Sequence, residues 1–283
     1  MTAYTRGDIA SARRIVVKVG SSSISGAAEW RIDMLVDALV AARARGQEVV
    51  LVSSGAIATA LSLMDFSAGR PTDLATQQAA AAVGQNVLLW RWQSSLARFD
   101  VFAGQVLLTL SDMQNATPRS NARRALDRLL TLGVLPIVNE NDTVATHEIR
   151  FGDNDRLSAL VAHLLKADAL VLLSDIEALY TAPPDREGAR PIDTIGPDDD
   201  LRQFEFGDKV VNSVGTGGAA TKATAARLAQ DNGVGALVTS ADNIADALAG
   251  RQIGTWFAPA ETSEPKTDTL SVILGDDDHE VTR

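Results

Sequence analysis

Three features of the sequence predict an α/β fold built on a mainly parallel sheet. Apolar runs rich in Val, Ile and Leu alternate along the chain with segments whose apolar residues recur at helical spacing, the β-α-β-α order of an α/β domain. The runs are continuous rather than alternating, as suits strands covered on both faces. Nearly all of them end in small or polar residues: Gly20-Ser21, Ser53-Ser54-Gly55, Asn139, Ser174-Asp175 and Ser240. In open α/β sheets ligands bind beyond the carboxyl ends of the strands, where the free N–H groups of helix N-termini suit anions.

Arg13 to Gly20 reads as a buried strand followed by a Ser21-Ser22-Ser23 loop. Lys18 interrupts it near its end, and a lysine in such a strand must snorkel out or meet an anion. Ile32, Leu35, Val36, Leu39 and Val40 predict a helix over Trp30 to Arg45, with Gly46 as its C-terminal stop. Glu48 to Ser53 is a second strand, and Ser54-Gly55-Ala56 opens the next helix, where Ser54 is either a cap or a hydroxyl offered to a small ligand. Thr72 to Arg98 is a long Ala/Gln-rich helix with Gly84 as a point of close approach. A third strand covers Val101 to Leu108, and a helix with Leu126, Leu129 and Leu130 inward covers Asn115 to Leu132.

Val134 to Val138 is a fourth strand running into Asn139-Glu140-Asn141-Asp142. Asn and Asp favour turns, but amide and carboxylate groups together also match the head group of an α-amino acid. Thr143 to Arg150 reads as a short hairpin. In Phe151-Gly152-Asp153-Asn154-Asp155-Arg156-Leu157, Gly152 marks the entry, Asp153 suits an N-cap and Asp155 falls in the first helical turn. Leu157, Leu160, Val161, Leu164 and Leu165 form the buried face behind them. These acids can cap a helix and match its dipole, or face a site. Ala169 to Leu173 is a fifth strand. Pro183 to Asp200 reads as a surface excursion, Ala236 to Thr239 as a strand and Ile244 to Leu248 as a helix.

Gly215-Thr216-Gly217-Gly218 precedes a helix from Ala219 to Gln230 that carries Lys222 in its first turns. It is not a dinucleotide fingerprint, because the preceding Phe204 to Val214 is irregular and polar. It is not a Walker A loop, since no Gly precedes Lys222. A phosphate cradle and a flexible connection fit it equally.

Composition narrows the chemistry. The chain of 283 residues has a net charge of −10, which argues against a general nucleic-acid or anionic-membrane surface. It lacks cysteine, so thiolate catalysis and Cys-based metal sites are excluded. His147, His163 and His279 are scattered, with His163 expected to face solvent, and no residue set is assigned to a metal. There is no G-x-S-x-G elbow. No N-terminal apolar region suggests a signal peptide and no run of 18 apolar residues suggests a membrane span, so a soluble cytoplasmic protein is expected. Two lysines, intervening carboxylates and a Gly-rich helix entry suit phosphoryl transfer, which depends on positioning and charge neutralisation. An acceptor carboxylate is already ionised at pH 7 and needs no general base.

From Ile15 to about Phe257 the chain resembles the glutamate 5-kinases of the amino acid kinase superfamily. The resemblance runs through Val16-Val17-Lys18-Val19-Gly20-Ser21-Ser22, Val52-Ser53-Ser54-Gly55-Ala56-Ile57, Val83-Gly84-Gln85 and Gly104-Gln105-Val106-Leu107-Leu108-Thr109. It continues with Asn139-Glu140-Asn141-Asp142, Gly152-Asp153-Asn154-Asp155 and Gly215-Thr216-Gly217-Gly218. It implies a three-layer αβα sandwich with an open, mainly parallel, roughly eight-stranded sheet, placed over residues 1–259; after Pro259 the chain is acidic and short of apolar residues, which reads as a tail over 260–283. It also implies phosphorylation of L-glutamate by ATP with magnesium, the first step of proline biosynthesis.

The resemblance gives Lys18, Asp155 and Lys222 catalytic roles. It gives Ser54, Asp142, Asn154, Asp153 and Asn139 to glutamate, and Lys18, Ser174, Asp175, Thr216, Gly217, Gly218, Ala219, Ala220, Thr221 and Lys222 to ATP. It further implies feedback inhibition by proline and a dimer or tetramer. Many relatives carry a C-terminal RNA-modification-enzyme-like domain, and this chain is expected to be a short form without it. Ala219-Ala220 replaces a bulkier residue and a hydroxyl in relatives, which bears on nucleotide packing. The alternatives are a related kinase of acetylglutamate, aspartate, carbamate or UMP, and a non-catalytic sensor on the same fold.

Overall fold

Strand β1 (Arg14–Val19) is buried along its whole length, and the two-residue period of its side chains divides the core in two. Ile15, Val17 and Val19 join one apolar cluster, while Val16 joins the other. Lys18 therefore shares the face of Val16. The computed structural model describes residues 2–65, 71–145, 154–206 and 218–259.

The chain continues through α1 (Arg31–Ala44), β2 (Glu48–Ser53), α2 (Ala56–Leu61), α3 (Leu74–Leu96), β3 (Ala103–Leu108), α4 (Leu110–Gln114), α5 (Ala116–Thr131) and β4 (Leu135–Glu140). It then runs through α6 (Asn154–Leu164), β5 (Ala169–Ser174), β6 (Thr194–Ile195), α7 (Ala219–Asp231), β7 (Gly235–Ser240), α8 (Ile244–Leu248) and β8 (Thr255–Phe257). The eight strands form one sheet in the order β3-β4-β2-β1-β5-β7-β8-β6. Every pairing is parallel except β7 with β8. Helices α1, α3 and α8 cover the face of Val17; α5, α6 and α7 cover the face of Val16. This is the expected three-layer αβα sandwich. Among the described residues, no helix is long and apolar enough to cross a membrane.

The helix over Trp30 to Arg45 is found as α1 and ends on Gly46 at φ +88°, a backbone conformation that glycine adopts without a Cβ penalty. Gly84 marks a close contact between α3 and α2. A Cβ built on it would lie 1.8 Å from the Ala56 carbonyl oxygen, so only glycine lets α3 lie on the first turn of α2.

Several expectations are corrected. β4 extends through Asn139 and Glu140, which are buried sheet residues rather than a turn. Both pair in register with β3, opposite Leu107 and Leu108, and the Glu140 N–H turns to the Asn139 side chain. The Pro183 to Asp200 excursion contributes β6, because Ile192 and Ile195 are buried beneath it. β8 escapes the sequence reading altogether; it is three residues long, antiparallel to β7 and parallel to β6. Ser54 does not cap α2, whose N-cap is Gly55 at φ +105°. Leu126 is fully inward, but Leu129 and Leu130 are only partly buried. His163 is half-buried rather than solvent-facing, and desolvation followed by the charges of Arg119 and Lys166 lowers its pKa. In the stretch expected as a hairpin, residues 142–144 form a turn, and 146–150 lie outside the described residues.

Candidate active site

The carboxyl ends of β1, β2, β4 and β5 bring the candidate residues to one edge of the sheet, facing the start of α6 and α7. Asp155 occupies the first turn of α6. The apolar ladder behind it fixes its direction: Leu157, Leu160 and Val161 are buried against the sheet, and Asp155 turns inward with them to 0% exposure. Lys18, from the middle of the sheet, and Lys222, from the second turn of α7, are 3% and 5% exposed. A buried carboxylate survives only with charged partners, and both lysines supply them. Lys18 Nζ meets Asp155 Oδ1 in a close ion pair. Lys222 Nζ lies 3.3 Å from Oδ2. The Thr221 hydroxyl lies 3.3 Å from the same oxygen and donates to the Gly218 carbonyl at 2.9 Å.

Burial pushes the Asp155 carboxyl upward in pKa, but the fields of Lys18 and Lys222 outweigh it and hold the group at about 2. Two ammonium groups against one carboxylate leave a single net positive charge. That excess, in a largely dry setting, is suited to a developing or transferring anion.

One residue back in the chain, Asn154 begins a second set of contacts. Its Nδ2 donates to Ser54 Oγ and to Asn139 Oδ1, both at 2.9 Å. Asn139 Oδ1 also accepts from the backbone N–H of Glu140 at 2.9 Å, and Asn139 Nδ2 donates to Gln85 Oε1 at 2.6 Å. Among the described residues no donor reaches the buried Asn154 Oδ1. Ser54 is held at the end of β2 by its N–H, which donates to the Val19 carbonyl at 3.1 Å. Below it the Trp92 indole donates to Ser53 Oγ at 3.1 Å. Asp142 lies in the turn after β4, half-buried; the Asn141 N–H ties that turn to the Leu108 carbonyl at 2.9 Å.

α7 begins at Gly218, an extended N-cap that makes no side-chain cap hydrogen bond and offers no side-chain acceptor of its own to the first N–H groups of the helix. Ala219 and Ala220 form its half-exposed first turn. Ser174 ends β5 and donates to Asp175 Oδ1 at 3.0 Å, with Asp175 exposed to solvent. The structure thus joins Lys18, Asp155, Thr221 and Lys222 in one cluster, and Ser54, Asn139 and Asn154 in another. Asp153, Thr216 and Gly217 lie outside the described residues. Gln85 and the Ser53–Trp92 contact were missed. The only signal for Gln85 is its place in Val83-Gly84-Gln85, a polar residue on an inward helical position.

With this geometry in view, comparison with known proteins decides the family. The model of the amino acid kinase family matches residues 13–252. The chain belongs to the amino acid kinase family. Within it the chain groups with proteins named glutamate 5-kinase. The one from Leifsonia xyli subsp. xyli is 61% identical over 261 residues, covering 92% of this chain and 96% of that protein. The one from Clavibacter michiganensis subsp. michiganensis is also 61% identical, over 92% of this chain and 99% of its own. The Thermobifida fusca protein is 50% identical over 94% of this chain and 69% of its own length. Among solved structures, a carbamate kinase from Giardia lamblia bound to AMP-PNP superposes with a TM-score of 0.64 at 15% identity, over 89% of this chain and 100% of that one. At that identity the likeness supports the amino acid kinase fold alone.

Proposed function

We propose that the chain is an ATP-dependent glutamate 5-kinase, transferring the γ-phosphoryl group of ATP to the side-chain carboxylate of L-glutamate. The product is L-glutamyl 5-phosphate, the first intermediate of proline biosynthesis. The observation that carries the reading is the adjacency of Asn154 and Asp155. One helix entry holds an amide bound to Ser54 and Asn139 and, next to it, a carboxylate held by two lysines. Relatives 61% identical bear the name glutamate 5-kinase.

In this reading a glutamate carboxylate oxygen attacks the γ-phosphorus, the bond to the β,γ-bridging oxygen breaks, and ADP leaves with the bond's electrons. The acceptor is ionised at neutral pH and requires no base. Catalysis is then positioning and charge compensation. Lys18 and Lys222 stabilise the transferring group, and Asp155 keeps both ammonium groups aimed. Ser54, Asn139 and Asn154 bind glutamate, joined by Asp142 and Asp153. Asn154 Oδ1, buried without a donor among the described residues, is suited to the α-ammonium group. The α7 entry, with Thr216 to Lys222, and Ser174-Asp175 hold ATP, the uncapped N–H groups of α7 receiving phosphate oxygens. The small Ala219-Ala220 pair leaves the nucleotide open to backbone contact.

Magnesium is assigned to the nucleotide phosphates, as in phosphoryl transfer generally. When bound there it neutralises charge on the β- and γ-phosphates. The same reading extends to a cytoplasmic homo-oligomer, dimer or tetramer, with proline as inhibitor at the glutamate pocket. Supplying ATP with glutamate, aspartate, acetylglutamate, carbamate or UMP and trapping acyl phosphate with hydroxylamine tests the acceptor. Glutamate hydroxamate is expected; trapping with another acceptor and none with glutamate refutes the proposal.

A further inference from the structure

We infer that Gln85, on α3, is a positioning residue that sets which way the glutamate-binding amides face. This inference rests on the reading of Asn139 and Asn154 as the glutamate side. The backbone N–H of Glu140 points at one end of the Asn139 amide at 2.9 Å, and a backbone N–H can only donate. That end must be Oδ1, so Asn139 Nδ2 faces Gln85, at 2.6 Å. Gln85 must therefore present its carbonyl oxygen. The same Oδ1 draws Asn154 Nδ2, at 2.9 Å, and Ser54 Oγ takes the other Asn154 amide hydrogen. Asn154 is thereby left with its oxygen as the available group. One backbone N–H fixes the polarity of three amides in series, and Gln85 holds the far end of the series.

The side chain is well placed to do this. Gln85 is buried, at 8% exposure. Its neighbour Gly84 presses α3 onto Ala56, two residues beyond Ser54. α3 thus reaches the glutamate pocket twice, through a backbone contact beside Ser54 and a side-chain hydrogen bond to Asn139. Without an acceptor at position 85, Asn139 Nδ2 is a buried unpaired donor, and rotation of its amide would break the bonds to Glu140 N–H and Asn154.

Gln85→Met keeps the length and removes the acceptor, whereas Gln85→Glu keeps an acceptor in place. For Gln85→Met, KM for glutamate is expected to rise roughly tenfold, the effect of one unpaired buried donor, with KM for ATP and kcat little changed. Gln85→Glu should stay near the parent KM. In an Asn139→Ala background the Gln85→Met change should add nothing, since both act on one contact. A parent enzyme that forms no glutamyl phosphate refutes the substrate reading. A parent that does so refutes the Gln85 role if Gln85→Met leaves KM for glutamate unchanged, if Gln85→Met and Gln85→Glu impair it alike, or if the Asn139 and Gln85 effects add. Should Gln85→Met fail to fold, Gln85→Glu decides: a KM for glutamate raised as far as in Asn139→Ala overturns the role.

Discussion

Lys222 approaches Asp155 at 3.3 Å on Oδ2, the carboxylate oxygen opposite the one that meets Lys18. The two ammonium groups are therefore spread by one carboxylate rather than left to repel each other. Asp155 does not touch the transferring phosphoryl group in the proposed mechanism; it aims the charges that do. Asp155→Asn should lower kcat by about a hundredfold or more, with a much smaller change in KM for glutamate. Steady-state kinetics at saturating ATP check this, and an unchanged kcat removes Asp155 from the role.

The same substitution should cost stability. It removes the carboxylate that pairs with two ammonium groups in a nearly dry site, a loss of about 3–5 kcal/mol by analogy with other broken buried pairs. Urea unfolding measures it. A variant as stable as the parent would mean that water or another anion already compensates the lysines.

The Asp155 carboxyl is held at about 2, below its ordinary value. A depressed carboxyl stabilises the fold above its unfolded pKa, and that contribution fades as pH falls towards the folded one. The stability difference between the parent and Asp155→Asn should therefore be level near neutrality and shrink below about pH 4. Urea midpoints of both proteins down the pH scale test the sign; a gap that widens on acidification contradicts it.

Gly84→Ala should be disproportionately harmful for a single methyl group. The new Cβ would overlap the Ala56 carbonyl oxygen, which only backbone movement can relieve. A loss of about 3 kcal/mol and a fall in Tm of roughly 5–10 °C are expected. KM for glutamate should rise as well, because Ala56 follows the Ser54 loop. Thermal melts and kinetics report the two effects separately.

The parts of this site that were legible in the sequence are those where a residue violates its surroundings. Lys18 stands out in a run of buried Val and Ile, and Asp155 stands out at the head of an apolar helix, so each signals a partner. The extension of β4 was hidden because Asn139 and Glu140 have the composition of a turn, while their burial depends on α3 and α6, which the local sequence does not display. β6 and β8 are two and three residues long, too short for any periodicity. Gln85 sits in an Ala/Gln-rich helix where glutamine raises no contrast, and its role exists only once Asn139 is placed opposite it. Ser54 was read as a cap or a ligand hydroxyl. Glycine at positive φ took the cap position, and the hydroxyl turned to Asn154.

The central claim is that Lys18 and Lys222 converge on one transferring phosphoryl group under the control of Asp155. Its most direct test is the turnover of Lys222→Ala at saturating ATP and glutamate. A kcat lower by about a hundredfold or more is expected, with both KM values changed far less and the fold intact, since Lys18 still balances Asp155. A Lys222→Ala enzyme with full turnover would contradict it.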